Sequence, residues 1–226
     1  MGYLLNIFYS PGKVFEKLKE KPEWLKPLVI VMVVTALTAA IAVYLTRDTT
    51  IARQEEILRE RGMTDEQIEQ AKQFMTGPLV AISGAIGAIV FTTILMLIFA
   101  AIINILIPVF GGKGSFRSVF SVVSHAALIR VPSSILRLIL MALTKSLYVT
   151  ASLALMVPNL PKTLFVYKVL TGFDLFVIWE MIIVALGISI TNQVQKKNAY
   201  VLVALIFIVS VFVGVALSGL GGRAPF

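Results

Sequence analysis

Phe173-Asp174-Leu175-Phe176-Val177-Ile178-Trp179-Glu180 opens an apolar run that continues to Thr191 and carries two carboxylates. A run of this length is typical of a membrane-spanning helix, which needs about 20 predominantly apolar residues. Ionisable groups inside a bilayer are costly, so they usually face a partner or a water-filled cavity. We therefore expect Asp174 and Glu180 to line a polar interior, with Arg130 and Arg137 of another apolar segment as their partners.

The rest of the sequence has the composition of a membrane protein. Of its 226 residues, 58% are hydrophobic and 14% are charged, whereas soluble domains have about 25% charged residues. The apolar runs are continuous, which excludes the alternating segments of a transmembrane barrel. We predict an all-α, polytopic integral membrane protein, a single domain over residues 1–226 with five transmembrane helices and short interfacial helices. The predicted spans are about 27–46, 79–110, 118–143, 173–191 and 200–220.

The N-terminal segment, residues 1–26, is predicted to form interfacial helices rather than a cleavable signal peptide, because it is mixed in charge and no small-residue cleavage site follows. Ser10-Pro11 is typical of a helix start, and Val14, Phe15 and Leu18 share one side of the helix that follows. Such a helix either lies on anionic lipid or packs on the bundle with a solvated outer face. The candidate membrane-surface residues are Lys13, Lys17, Lys19, Lys21 and Lys26.

Two other polar segments interrupt the spans. Residues 47–76 are predicted to form an extracytoplasmic helical hairpin, because Gly62 can end one helix and Thr64 to Gln67 form a capping box for the next. The hairpin either caps the bundle or binds a partner. Residues 144–172 contain an apolar stretch that is too short to span and is bounded by prolines, so we expect an interfacial or re-entrant segment.

Orientation follows from lysine and arginine residues in short loops. Residues 1–26, 111–117 and 192–198 carry five, two and two basic residues in compact segments. The opposite side also carries nine, but in longer segments, so density rather than number decides. We expect a cytoplasmic N-terminus and an extracytoplasmic C-terminus.

The polar interior can be placed by depth, at 1.5 Å per helical residue. Arg137 lies about 9 Å from the outer end of its span and Glu180 about 11 Å from the outer end of its own, which predicts that they pair. Arg130 is one heptad from Arg137, while His125 and Asn104 fall towards the inner end. These groups either line a proton or ion path or form a structural salt bridge that sets helix register.

Several functional classes have no support in the sequence. The net charge of +8 fits lipid headgroups, whereas nucleic-acid binding needs a clustered basic face on a soluble fold. The sequence has no cysteine, and no HExxH, GxSxG or paired catalytic aspartates. Gly111 to Ser115 lacks the first glycine and the preceding strand of a phosphate loop. We expect no catalytic residue, metal site or cofactor, and no nucleic-acid partner.

The order of several short motifs indicates a family. Phe8-Tyr9-Ser10-Pro11-Gly12-Lys13-Val14-Phe15 is followed by Pro22-Glu23-Trp24-Leu25-Lys26-Pro27-Leu28 at the first span. Gly111 to Phe116 then precedes Ser121 to Ala126, and Phe173 to Trp179 is followed by Leu186-Gly187-Ile188. Together these segments, which cover nearly the whole chain, resemble the Yip-domain family, named for Ypt/Rab-interacting proteins. Asp174 and Trp179 match the family pattern, and Glu180 is outside it.

The resemblance implies a five-span helical protein with a cytosolic N-terminus. The chain is similar to a prokaryotic member of the family, which implies a place in the prokaryotic cytoplasmic membrane. Eukaryotic relatives act in vesicle traffic and contact prenylated Rab GTPases. They have a longer cytosolic N-terminal region, so we do not expect this chain to bind GTPases. We expect a non-enzymatic membrane protein that binds or organises lipid or protein partners, with homo-oligomers favoured by small-residue helix faces. The alternative is a transporter or ion channel whose path is lined by the intramembrane charged residues.

Overall fold

The computed structural model describes residues 2–76, 78–144 and 151–220, and these are nearly all helical. Within those ranges no strand forms, and the only β-type pairing is an isolated bridge between Ser152 and Asp174. The helices are α1 (Gly2–Tyr9), α2 (Pro11–Glu20), α3 (Leu25–Leu45), α4 (Arg47–Glu60), α5 (Asp65–Thr76), α6 (Pro78–Leu106), α7 (Phe116–Ala126), α8 (Arg130–Thr144), α9 (Phe165–Gly172), α10 (Leu175–Thr191) and α11 (Lys196–Leu220). Short 3-10 segments cover Ile107–Phe110, Ala127–Ile129 and Leu153–Met156.

Four helical segments are long and apolar enough to cross a membrane: Leu25–Leu45, Leu79–Phe110, Phe116–Thr144 and Lys196–Leu217. The fifth predicted span is α10, an apolar helix of 17 residues. At 1.5 Å per residue α10 is about 26 Å long, slightly shorter than a typical hydrocarbon core. The prediction of an all-α, polytopic membrane protein is confirmed.

The third span is interrupted. Helix α7 ends at Ala126, a 3-10 turn covers residues 127–129, and α8 begins at Arg130. Pro132 explains the break, because it has no N–H to donate to the carbonyl of Leu128 and its ring crowds the preceding turn. The break therefore lies just before the proline. It separates α7, which is buried from Val119 to Ala126, from α8, in which Met141 is the buried residue.

The chain divides into two compact units rather than one uniform bundle. The first unit comprises Met1–Val31, Leu95–Ser133 and Thr150–Phe226, and its core surrounds α7. Every residue of α7 from Val119 to Ala126 is buried, and this helix packs against α1, α2 and α10. The buried side chains of Phe15, Val122 and Ile188 show that α2, α7 and α10 share this core.

The segment before α10 folds back on α11 within the first unit. Leu153 donates its amide to the carbonyl of Phe173, and Leu175 donates to Ala151, at 3.1 Å each. The Phe173 ring meets Phe207 edge-on with centroids 5.5 Å apart. These bonds satisfy backbone groups that lipid cannot. Residues 145–150, part of the predicted interfacial or re-entrant segment, lie outside the described residues.

The second unit comprises Met32–Ile94 and Ser134–Val149 and contains the hairpin of α4 and α5. Gly62 ends α4 with a positive φ of 77°. The capping box before α5 is present, because Thr64 and Gln67 exchange hydrogen bonds of 2.9 and 3.4 Å. Lys72 joins the two helices through a 2.6 Å contact with Glu55. The hairpin is therefore held by charged groups, with Ile68 as a buried apolar residue.

Candidate functional site

The polar interior is organised by the buried face of α10. Glu180, Ile183, Val184, Gly187 and Ile188 are all buried, and their spacing of three and four residues places them on one face of the helix. This face packs against α2 and α7. Glu180 is therefore part of a continuous helix contact and does not project from the outer surface of α10.

Glu180 forms a bidentate ion pair with Arg130. The Nε atom of Arg130 donates to Glu180 Oε2 at 2.8 Å, and Nη2 donates to Oε1 at 2.7 Å. The Glu180 side chain is 1% exposed and that of Arg130 is 39% exposed. Two parallel charge-assisted bonds match the planar fork of a guanidinium to a carboxylate. The pair joins the start of α8 to α10 and compensates a carboxylate that is otherwise enclosed.

Glu180 does not pair with Arg137, as their predicted depths had indicated, but with Arg130. Arg137 is exposed on α8, and within the described ranges it has no ion pair. The predicted depth of Arg137 assumed that the third span is one straight helix, but that span breaks at residues 127–129. Arg130, the first residue of the new helix, takes the place assigned to Arg137.

Asp174 has a structural contact of its own. Its Oδ1 atom accepts hydrogen bonds from the amides of Phe176 at 2.8 Å and Val177 at 3.4 Å, so it is the N-cap of α10. Asp174 also pairs through its backbone with Ser152. This carboxylate therefore starts the helix that carries Glu180 and is not a second partner for the arginines.

The other two candidate residues, His125 and Asn104, lie on α7 and α6. His125 is 1% exposed, and its Nδ1 atom lies 2.8 Å from the carbonyl oxygen of Ser121. Because a carbonyl only accepts, Nδ1 is the donor. Asn104 is half-buried on α6. No group of three or more His, Cys, Asp or Glu side chains suited to a metal ion occurs within the described ranges.

Helix α2 separates its apolar residues from its lysines. Val14, Phe15 and Leu18 are buried, whereas Lys13, Lys17 and Lys19 are exposed, as are Lys21 and Lys26 beyond the helix. A Cβ atom at Gly187 would lie 2.9 Å from two ring atoms of Phe15, so glycine is what lets α2 approach α10 so closely. Of the two interpretations of this segment, packing on the bundle is the one that the geometry favours.

Two loops that sequence reasoning assigned to the same side meet in the structure. Lys113 donates its amide to the carbonyl of Asn192 at 2.8 Å, and Asn198 Nδ2 donates to the carbonyl of Phe110 at 3.4 Å. A Cβ atom at Gly114 would overlap the Asn192 side chain, so glycine at this position allows the close approach of the two loops. We call residues 111–117 and 192–198 the paired loops.

The paired loops carry four exposed basic residues that were not among the candidate site residues: Lys113, Arg117, Lys196 and Lys197. The signal that would have identified them is the absence of any aspartate or glutamate from both loops. Helix α2 lies at the same end, because Gly187, which contacts it, is about 6 Å along α10 from the last residue of that helix. In addition, Ser121, about 8 Å from the start of α7, donates to the Glu23 carbonyl at 2.8 Å. We call this end of the first unit the basic end.

Comparison with known proteins gives two matches. The family model described as the Yip1 domain matches residues 5–218. Membrane protein YknW of Bacillus subtilis (strain 168) is 25% identical over 217 residues, which cover 93% of this chain and 89% of that protein. No solved structure shows significant similarity to the chain.

Proposed function

Because this chain belongs to the Yip1 domain family and is an integral membrane protein, we propose that it binds and organises lipid or protein partners at the basic end and has no catalytic activity. The single observation that supports this most is the convergence of α2 and the paired loops. Three segments that are distant in sequence, α2 and the two paired loops, bring exposed cations to one end of one compact unit. In a prokaryotic cytoplasmic membrane this end would face the cytoplasm, following the charge bias of short loops.

The contacts of the interior carboxylates support a role without chemistry. Glu180 is enclosed and bidentate with Arg130, and Asp174 accepts the first amides of α10. A general acid or base needs to reach a substrate proton, whereas these two groups hold helices together. The interior is thus suited to fixing the shape of the basic end.

The test is crosslinking in the native membrane, purification in mild detergent and mass spectrometry of what co-purifies. We expect a reproducible lipid or protein partner. This partner should be lost when the exposed lysines of α2 and the four basic residues of the paired loops are changed to glutamine. It should be retained when the exposed Arg137 is changed to glutamine. A homo-oligomer with no other component in every preparation would contradict the proposal.

The alternative is transport or ion conduction, and one observation favours it. Arg130 lies within a predicted span, yet its side chain is 39% exposed, and a guanidinium at that depth is stable only next to water or another polar group. A polar path would therefore pass the Arg130 and Glu180 pair. The double variant R130Q/E180Q distinguishes the two functions in liposomes: a conductor loses ion flux, whereas a partner-binding protein still captures its partner.

A further inference from the structure

We infer that the paired loops, rather than the lysines of α2, are the binding site for the phosphate group of an anionic phospholipid. The inference rests on the proposed function and names its partner. The two parts of the basic end differ in their charge balance. Residues 10–26 contain five lysines and three glutamates, a net charge of +2, whereas the paired loops contain four basic residues and no acidic ones, a net charge of +4.

The side-chain contacts also favour the paired loops over α2 as the anion-binding site. Glu23 lies 3.8 Å from Lys21 and 3.6 Å from Lys26, so part of the α2 charge is already compensated within the protein. In the part of the chain that the structure describes, no carboxylate lies within 4.0 Å of the cationic groups of Lys113, Arg117, Lys196 or Lys197. The four charges of the paired loops thus remain available to an external anion.

The position of these cations favours a lipid over a soluble acidic protein. Arg117 is the second residue of α7, and Lys196 and Lys197 are the first two of α11, so their Cα atoms lie within about 3 Å of the start of a helical segment long and apolar enough to cross a membrane. That is the level of lipid headgroups. Phe116, which is 39% exposed, adds an aromatic group of the type that is enriched at membrane interfaces.

The loops are also held in a fixed arrangement before any ligand binds. The two hydrogen bonds between them, Lys113 to Asn192 and Asn198 to Phe110, lie at either end of the contact. The close approach of Gly112 to Val194 and of Gly114 to Asn192 fills the space between them. A loop backbone that is already ordered binds an anion without the cost of ordering the loops.

The experiment uses native mass spectrometry of the full chain in neutral detergent, titrated with phosphatidylglycerol or with phosphatidylcholine of the same acyl chains. Two variants remove the same charge: K113Q/R117Q/K196Q/K197Q in the paired loops and K13Q/K17Q/K19Q/K21Q around α2. Each cation near a membrane surface contributes about fivefold in affinity. We expect the loop variant to lose at least tenfold in affinity for phosphatidylglycerol. The α2 variant should lose several times less, because the lysines of α2 lie outside the proposed phosphate site.

Equal losses in both variants, or no preference for phosphatidylglycerol in the unchanged protein, would overturn the inference. If the loop variant keeps its lipid affinity and instead loses a co-purified acidic protein, the occupant is that protein; the inference then fails while the proposed function stands. The double variant K196Q/K197Q leaves residues 111–117 unchanged and is used if the variant with four substitutions does not fold. It should lose at least about fivefold in affinity for phosphatidylglycerol.

Discussion

At the scale of single residues, Glu180 carries the greatest structural constraint. A carboxylate that is 1% exposed depends on Arg130 for compensation. Removing one member of a fully buried ion pair costs about 3–5 kcal/mol, because the other charge is left unpaired in a poorly polar site. Because 39% of the Arg130 side chain is exposed, the cost here is lower than for a fully buried pair.

We therefore predict that Glu180→Gln destabilises the protein by roughly 2–3 kcal/mol, seen as a lower Tm in mild detergent. Arg137→Gln is the matched control, because Arg137 is exposed and should change stability by less than about 0.5 kcal/mol. A Tm for Glu180→Gln equal to that of the control would show that the pair is not structural. The apolar double variant R130M/E180L should recover part of the loss.

Gly187 gives a second residue-scale prediction. A methyl group there would lie 2.9 Å from the Phe15 ring and closer still to Val122, so Gly187→Ala overpacks the contact of α2, α7 and α10. The expected cost is about 1–3 kcal/mol. In Gly214→Ala, the new Cβ meets nothing within 4 Å, so the higher helix propensity of alanine should leave Tm unchanged or raise it. Similar losses in both variants would refute close packing at Gly187.

Sequence reasoning identified the right residue types at this scale but not their pairing. The cost of a charge in a bilayer was enough to expect a partner for Glu180. Choosing between Arg130 and Arg137 required the position of the helix break near Pro132, which the sequence indicates only to within a few residues. Asp174, expected in the same cluster, is a helix cap. The sequence could not distinguish the two roles, because Asp before an apolar run is compatible with either.

At the scale of elements, the hairpin of α4 and α5 depends on charge. Glu55 contacts Lys72 at 2.6 Å and Arg59 at 3.2 Å, and these bonds, that to Lys72 first, lower the pKa of Glu55 below its ordinary value. The folded hairpin thus binds this proton less tightly than the unfolded one. The contribution of the Glu55 carboxylate to stability is present above the pKa of Glu55 in the unfolded chain, about 4.3. It is lost as pH falls through the lower pKa of Glu55 in the folded hairpin.

We predict that hydrogen exchange of residues 47–76 becomes faster as pH is lowered below about 4, after correction for the intrinsic exchange rate. Glu55→Gln should weaken protection at neutral pH and remove most of this pH dependence. Glu56→Gln removes the same charge from an exposed neighbour and should leave the profile unchanged. An unaltered profile in Glu55→Gln would show that another group controls the hairpin.

The sequence pattern of α2 does not determine whether this helix lies on lipid or packs on protein. Apolar residues on one side and lysines on the other are typical both of a helix on a lipid surface and of one packed on protein. The decision depends on Gly187, more than 160 residues away, which makes room for Phe15. No property of residues 11–20 alone contains that information.

At the scale of the whole molecule, the N-terminal segment and the paired loops lie at one end of the first unit, which predicts membrane sidedness. The sequence has no cysteine, so single cysteines introduced in place of Lys19, Lys113 and Lys197 can be labelled without background. In cells with intact membranes we expect all three to resist an impermeant thiol reagent and to react after permeabilisation. Labelling of one without the others would contradict their common side.

Most of the overall architecture was accessible from the sequence because apolar length and composition determine which segments cross a bilayer. Five apolar segments were expected, and four long helices and the shorter α10 are found. The interior of the first unit was not accessible, because the enclosure of α7 depends on contacts with α1, α2 and α10 that come from distant parts of the chain.

The bond between Arg130 and Glu180 also bears on biosynthesis. The two residues are 50 positions apart, so at about 5–20 residues per second a ribosome needs roughly 3–10 s to add the second after the first. An arginine at the centre of a span disfavours insertion by about 2.5–3.5 kcal/mol. We therefore expect the third span to wait at the translocon until α10 emerges, and the two segments to enter the bilayer together.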